Sequence, residues 1–140
     1  MSRSIWTRVK AIFSRPAPPP AWPGPGAGDM YYAAEKFGSA LRHLATSDDA
    51  WEERLTGAFQ YISPVSAADM PPDALDDYSE LVARSNWAPS TGRGTRQATL
   101  AVVTDQQARC IAGLFADVSC RLDSACTAAQ LRGERYGTHR

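Results

Sequence analysis

The sequence predicts an all-α protein: a compact bundle of about four helices, preceded by an N-terminal amphipathic segment that is disordered or detached from it. Three observations carry this expectation. Apolar residues recur at spacings of three and four in every long segment, which is the period of one helix face. The breaks between those segments are short, polar and marked by Pro, Gly, Asp or Ser. Only Gln97 to Val103 has an extended character, ending in Leu100-Ala101-Val102-Val103. A lone strand has nothing to pair with, so an ordered extended segment packed on helices is expected there.

The elements follow in order. In residues 1–15, Ile5, Val9, Ile12 and Phe13 fall at i, i+4, i+7 and i+8, with Trp6 beside them. Arg3, Arg8, Lys10 and Arg15 supply the only charges, so a helix here would be basic and amphipathic. Helices this short are marginal alone in water. Pro16 ends the pattern, because a residue before proline avoids the helical region. Residues 16–29 are a Pro/Gly-rich linker, stiffened by its prolines and loosened by Gly24, Gly26 and Gly28.

A helical bundle domain is expected over residues 30–132, with 133–140 as a flexible tail. Met30, Phe37, Leu41 and Leu44, with Ala33, Ala34 and Ala40, mark its first helix. Thr46 to Asp49 is a polar break that places Asp48 and Asp49 at the positive end of a second helix. Trp51, Leu55, Phe59 and Ile62 form that helix's stripe, and Pro64 closes it. A turn-rich connector with room for a short 3₁₀ turn leads to Pro71 and Pro72, which suit the start of a third helix. Leu75, Tyr78, Leu81 and Val82 are its expected buried face. Residues 85–96, with Pro89, Gly92 and Gly94, read as a loop. Thr104-Asp105-Gln106-Gln107 matches a capping box, with Val103 and Ala108 at staple positions. The helix it opens, striped by Ala108, Ile111, Phe115, Val118 and Leu122, should run to about Leu122 or on to Leu131.

The totals bound the function. Fifteen Lys/Arg balance fifteen Asp/Glu, yet four of the cations stand before Asp29 and no acid does. The remainder is therefore acidic by four charges, and nucleic acid, which rewards clustered cations, is not an expected partner. Cys110, Cys120 and Cys126 are odd in number and lack C-x-x-C spacing, so reduced thiols in a cytoplasmic protein are expected, with no metal and no cofactor. No run approaches the roughly 20 apolar residues of a spanning helix. Arg8 and Lys10 interrupt the place of a secretory h-region, and the lack of acids resembles an organellar transit peptide instead.

From about Met30 to Leu122 the chain resembles a group of small uncharacterised bacterial helical proteins. The matching pieces are Ala40-Leu41 through Thr46-Ser47, Glu53-Arg54-Leu55 with Ala58-Phe59, and Pro72 through Leu81. Gly94-Thr95, Ala98-Thr99 and Thr104-Asp105 complete the set. The resemblance implies a helical domain with those boundaries and carries no activity and no catalytic residue.

Candidate chemistry is sparse. His43 stands between Arg42 and Leu44 on a helix, with no nucleophile placed beside it by spacing, and reads as structural. His139 is next to the C-terminal residue. The pairs Asp48/Asp49, Glu52/Glu53 and Asp76/Asp77 point about 100° apart on a helix and do not converge. Ser90 to Arg96, with Gly92, Arg93, Gly94 and Arg96, has the composition of an anion-binding nest but not the phosphate-loop pattern. It also has no helix expected after it to receive a phosphate.

The expected function is that of a non-enzymatic interaction or accessory protein. Ile5, Trp6, Val9, Ile12 and Phe13 would contact an unidentified protein partner, steered to an acidic surface by Arg8, Lys10 and Arg15. Two alternatives stand beside it: peripheral binding of an anionic membrane surface through the same segment, and, on different residues, a bundle that binds a small or phosphate-bearing ligand with the Gly92–Arg96 loop. Folding of the segment back onto its own bundle is a further option. Stripes this wide would also let the bundle complete its core as a homodimer.

Overall fold

The computed structural model describes residues 29–90 and 92–133. The expectations for the amphipathic segment, for the linker up to Gly28 and for the tail after Gly133 lie outside the described residues. Those described are all-helical: α1 (Met30–Thr46), α2 (Trp51–Ile62), a 3₁₀ turn (Ala67–Asp69), α3 (Pro72–Arg84), α4 (Thr95–Val102) and α5 (Asp105–Leu131). There are thus five helices where about four were expected. α5 is the central strut, packed along α1 on one side and α3 on the other. α2 lies against α1, and α4 against α2.

The expected stripes meet in one core, except for Leu41 of α1, which is half-buried outside it. Phe37 from α1, Phe59 from α2 and Phe115 from α5 are all buried. Phe115 contacts Phe59 edge-on at 4.9 Å and Phe37 at 5.8 Å between ring centroids. Tyr78 of α3 adds a fourth ring, 6.3 Å from Phe37. Each buried phenyl ring stabilises the fold by about 2–3 kcal/mol, and their tilted or edge-on packing adds to that. On α3 the buried face is rotated from the expected one. Ala74 and Leu81 are its most deeply buried positions on the core side, whereas Leu75, Tyr78 and Val82 are half-buried. The small Ala74 lets α3 approach closely, so larger neighbours sit at the flank.

Residues 97–102 are helical, not extended. α4 begins at Thr95, so the preceding loop ends at Gly94, short of the expected Arg96. A helix satisfies its own backbone N–H and C=O groups without a neighbouring strand, and none exists among the described residues. Only Val103, at φ −66° and ψ 144°, keeps the extended conformation.

Caps set the other boundaries. The box at α5 forms as expected: Gln107 N donates to Thr104 Oγ1 at 3.1 Å, and Thr104 N donates to Gln107 Oε1 at 2.9 Å. The helix it opens reaches Leu131. α2 starts from Ala50 with no side-chain cap, and the acids in its first turn are Glu52 and Glu53. Asp49 instead takes a hydrogen bond from the Ser47 hydroxyl. The start of α1 is held twice. The Asp29 carboxylate caps Tyr32 N at 3.0 Å, and Asp29 N donates to Oδ1 of the buried Asp69 at 2.9 Å. The other Asp69 oxygen accepts from Ser66 N, also at 2.9 Å, so one carboxylate ties the 3₁₀ turn to the point where the chain enters the bundle.

Candidate functional site

Three regions bear on function among the described residues: the Ser90–Arg96 loop, a polar cleft at His43, and a trough along the second half of α5. Ile5, Trp6, Arg8, Val9, Lys10, Ile12, Phe13 and Arg15 lie outside those residues.

The loop departs from α3 through Ser85, whose hydroxyl donates to Leu81 O at 2.8 Å. It is pinned from the far side by Thr99, which is fully buried. Thr99 Oγ1 accepts from Trp87 N at 3.0 Å and from Ala88 N at 2.9 Å, and donates to Thr95 O at 2.7 Å. Gly92 and Gly94 have φ of 107° and 92°, in the region that favours glycine. Their N–H groups converge as a nest should, but on the Ser90 hydroxyl oxygen, at 3.4 and 3.2 Å.

The two arginines of the loop are not brought together. Arg93 is exposed, while Arg96 turns inward over the Phe59 ring, 4.5 Å from its centroid. Burial lowers the Arg96 pKa, with the nearby Tyr78 phenol working the other way. Burial likewise raises the Tyr78 pKa, while Arg96 opposes it. Arg96 is thus a packing cation of the core rim. A helix does follow the loop, contrary to expectation: α4 starts at Thr95 with Gly94 as its uncapped N-terminal neighbour.

His43 occupies one wall of a cleft of about 360 Å³, lined also by Asp49, Glu52, Thr56, Gln60 and Gln97. Its ring lies on Gly57, close enough that a Cβ there would meet Nε2 at 2.2 Å, and 5.9 Å from the Tyr61 ring. The one hydroxyl in this lining, Thr56 Oγ1, donates to Glu52 O at 2.7 Å. No serine or cysteine is among the residues lining this cleft. Gln97 Nε2 donates to Glu52 Oε2 at 3.3 Å, which closes α4 onto α2.

The trough was not anticipated. It is an open depression of about 650 Å³ between Leu41 of α1 and the outward side of α5, lined by Ala116, Cys120, Asp123 and Ala128 and ending at Leu131. Leu131 is 84% exposed, so its side chain has no cover from the bundle. A signal for it stood in the sequence: from Ser124 through Leu131 the helix carries no charge, where a solvated face ordinarily would. Beside the trough, sharing Cys120 and Ser124, lies a second depression walled by Asp73, Asp77, Asp117 and Arg121. There Arg121 Nε donates to Asp77 at 2.6 Å.

The cysteines differ in character. Cys120 is exposed, Cys110 intermediate and Cys126 buried. Burial pushes the Cys126 thiol up to about 11, with Asp123 and Asp29 adding to the rise. No group of three or more His, Cys, Asp or Glu among the described residues is arranged to hold a metal ion. No helix among them is long and apolar enough to cross a membrane. No family model, curated protein or solved structure matches this chain, whose function has to be read from its own residues.

Proposed function

We propose that the chain is a non-enzymatic helical interaction protein, in which the bundle carries a basic amphipathic docking segment, residues 1–15, to an acidic and apolar surface of a partner protein. One observation carries the reading. Asp29, the first acid in the sequence, is also the residue that caps α1 and hydrogen-bonds Asp69. Everything before it is cationic or uncharged, so the change in chemistry falls where the first described helix begins. Apolar residues at i, i+4, i+7 and i+8 with flanking cations are the pattern of a helix that docks in a groove. A linker of Pro and Gly gives it reach.

The test is capture from a nuclease-treated lysate of the native host, with the full chain and its Trp6→Asp/Phe13→Asp variant as baits. A protein retained by the wild type alone is the expected result; the same set retained by both baits overturns the reading. Trp6 beside Arg8 and Lys10 also suits the headgroup region of a membrane. Flotation with anionic vesicles at low salt separates that second reading, which requires the wild type to float and the variant to sink.

A further inference from the structure

We propose that the trough between α1 and the second half of α5 is a docking site for residues 5–13 of the same chain. This rests on the reading of residues 1–15 as a docking segment and adds what that segment contacts when no partner is present. Three observations favour this occupant.

The first is position. The chain enters the bundle at Asp29, directly against the second half of α5: Cys126 Sγ donates to Met30 O at 3.8 Å, and Tyr31 Oη donates to Cys126 O at 3.4 Å. Asp123 and Thr127, both in the trough, lie within one helical turn of Cys126. The second is length. From Ala116 to Leu131 the trough runs for about 22 Å, and residues 5–13 as a helix would cover about 13 Å. The linker, at about 3 Å per residue when extended, spans roughly 40 Å and reaches any point along it.

The third is chemical match. Leu41, Ala116, Ala128 and Leu131 offer an apolar floor, in which the two alanines leave room for a helix to approach. Its rim and the adjoining depression hold Asp123, Asp73, Asp77 and Asp117 against the single cation Arg121. Ile5, Trp6, Val9, Ile12 and Phe13 would supply the apolar face, and Arg8, Lys10 and Arg15 the opposite charge. A short linker gives an effective concentration on the order of 1 mM. A contact with an intrinsic Kd of about 0.1 mM would then be closed about ten times out of eleven.

Cys120 reports occupancy without any label. It is exposed on the trough floor, whereas Cys126 is buried and Cys110 lies in the first half of α5, away from the lining. The experiment is alkylation of the full chain by N-ethylmaleimide, resolved cysteine by cysteine by mass spectrometry. Cys120 should react about tenfold more slowly in the wild type than in Trp6→Asp/Phe13→Asp, with Cys110 unchanged. Leu131→Asp, altered at an exposed position, should relieve the protection as well and keep the wild-type far-UV circular dichroism. Equal Cys120 rates in wild type and both variants overturn the proposal. So does protection that grows with protein concentration, which would place a second copy in the trough. If Cys120 is unprotected while partner capture still depends on Trp6 and Phe13, this inference fails alone. If Cys120 is protected and capture ignores the segment, the partner reading fails instead.

Discussion

Replacing Thr99 with valine keeps the side-chain shape and removes a hydroxyl that makes three hydrogen bonds. Two are accepted from Trp87 N and Ala88 N and one is donated to Thr95 O, all at 3.0 Å or less. The donated bond is replaceable, since a helical carbonyl retains its backbone partner. The accepted pair is not. Ala88 is 5% exposed, so its N–H has no route to water and bears the full cost of an unmade hydrogen bond, about 1–3 kcal/mol. Trp87 is 40% exposed, and solvent recovers part of its loss. A total of about 2–4 kcal/mol follows, a drop of roughly 10–20 °C in Tm for a domain near 100 residues. Thr99→Ser is the control: it keeps the hydroxyl and loses one methyl, costing about 1 kcal/mol. Thermal and urea melts followed at 222 nm on the full chain give both values. A valine variant as stable as wild type, or one less damaged than the serine variant, would refute the claim that this hydroxyl pins the loop.

Gly57→Ala should destabilise by about 1–2 kcal/mol, because the added Cβ meets the His43 ring. In a His43→Ala background the same change should stabilise by up to about 1 kcal/mol, since alanine is the better helix former, and a double-mutant cycle in urea reads the change of sign. Asp69→Ala should cost about 2–4 kcal/mol by orphaning Asp29 N and Ser66 N; chemical denaturation that finds less than about 1 kcal/mol would remove its role at the start of α1. The Cys126 thiol, raised by burial from 9.0 to about 11, holds its proton in the fold at pH values where the unfolded chain releases it. Its contribution to stability is therefore intact below about pH 9 and lost as pH climbs through 11. Melts across that window should fall more steeply for wild type than for Cys126→Ala.

Where the sequence was legible, a side chain and its neighbours within four positions decided the outcome. The Thr104–Gln107 box, the Pro72 start of α3 and the stripes of α1, α2 and α5 are of this kind. What escaped was set by partners far along the chain. Asp69 reads as an ordinary turn residue until its oxygen meets Asp29 N, forty positions away. Leu100 to Val103 carries strand-like residues, yet the buried Thr99 and Leu100 hold it as a helix by bonding the loop and packing on the core. The Gly92 and Gly94 amides both donate to the Ser90 hydroxyl, a pairing that composition does not reveal. Nor could it tell that Arg96 faces Phe59 and not its neighbour Arg93. The trough came from a different blind spot. A stripe pattern marks the residues a helix buries, while the trough is lined largely by residues that α5 leaves exposed or half-buried.

The distribution of polar bonds separates the candidate surfaces. A loop that binds an anion keeps donors aimed outward, and here the glycine amides bond Ser90 within the loop, while the Trp87 and Ala88 amides and the Arg96 side chain serve its attachment to α4 and the core. Opening it to a ligand would cost those bonds first. Covering the apolar part of the trough breaks no such bond. Alanine and leucine at its floor and end have no hydrogen bonds to give up, and burying them stabilises by about 25 cal/mol per Å² of apolar surface. The acidic neighbours then set which helix is accepted, since charge selects partners more than it adds affinity. On the proposal made above, the trough competes with any acidic, apolar partner for the same apolar face of residues 5–13. The partner must bind it more tightly than α5 does, by about the factor that tethering supplies.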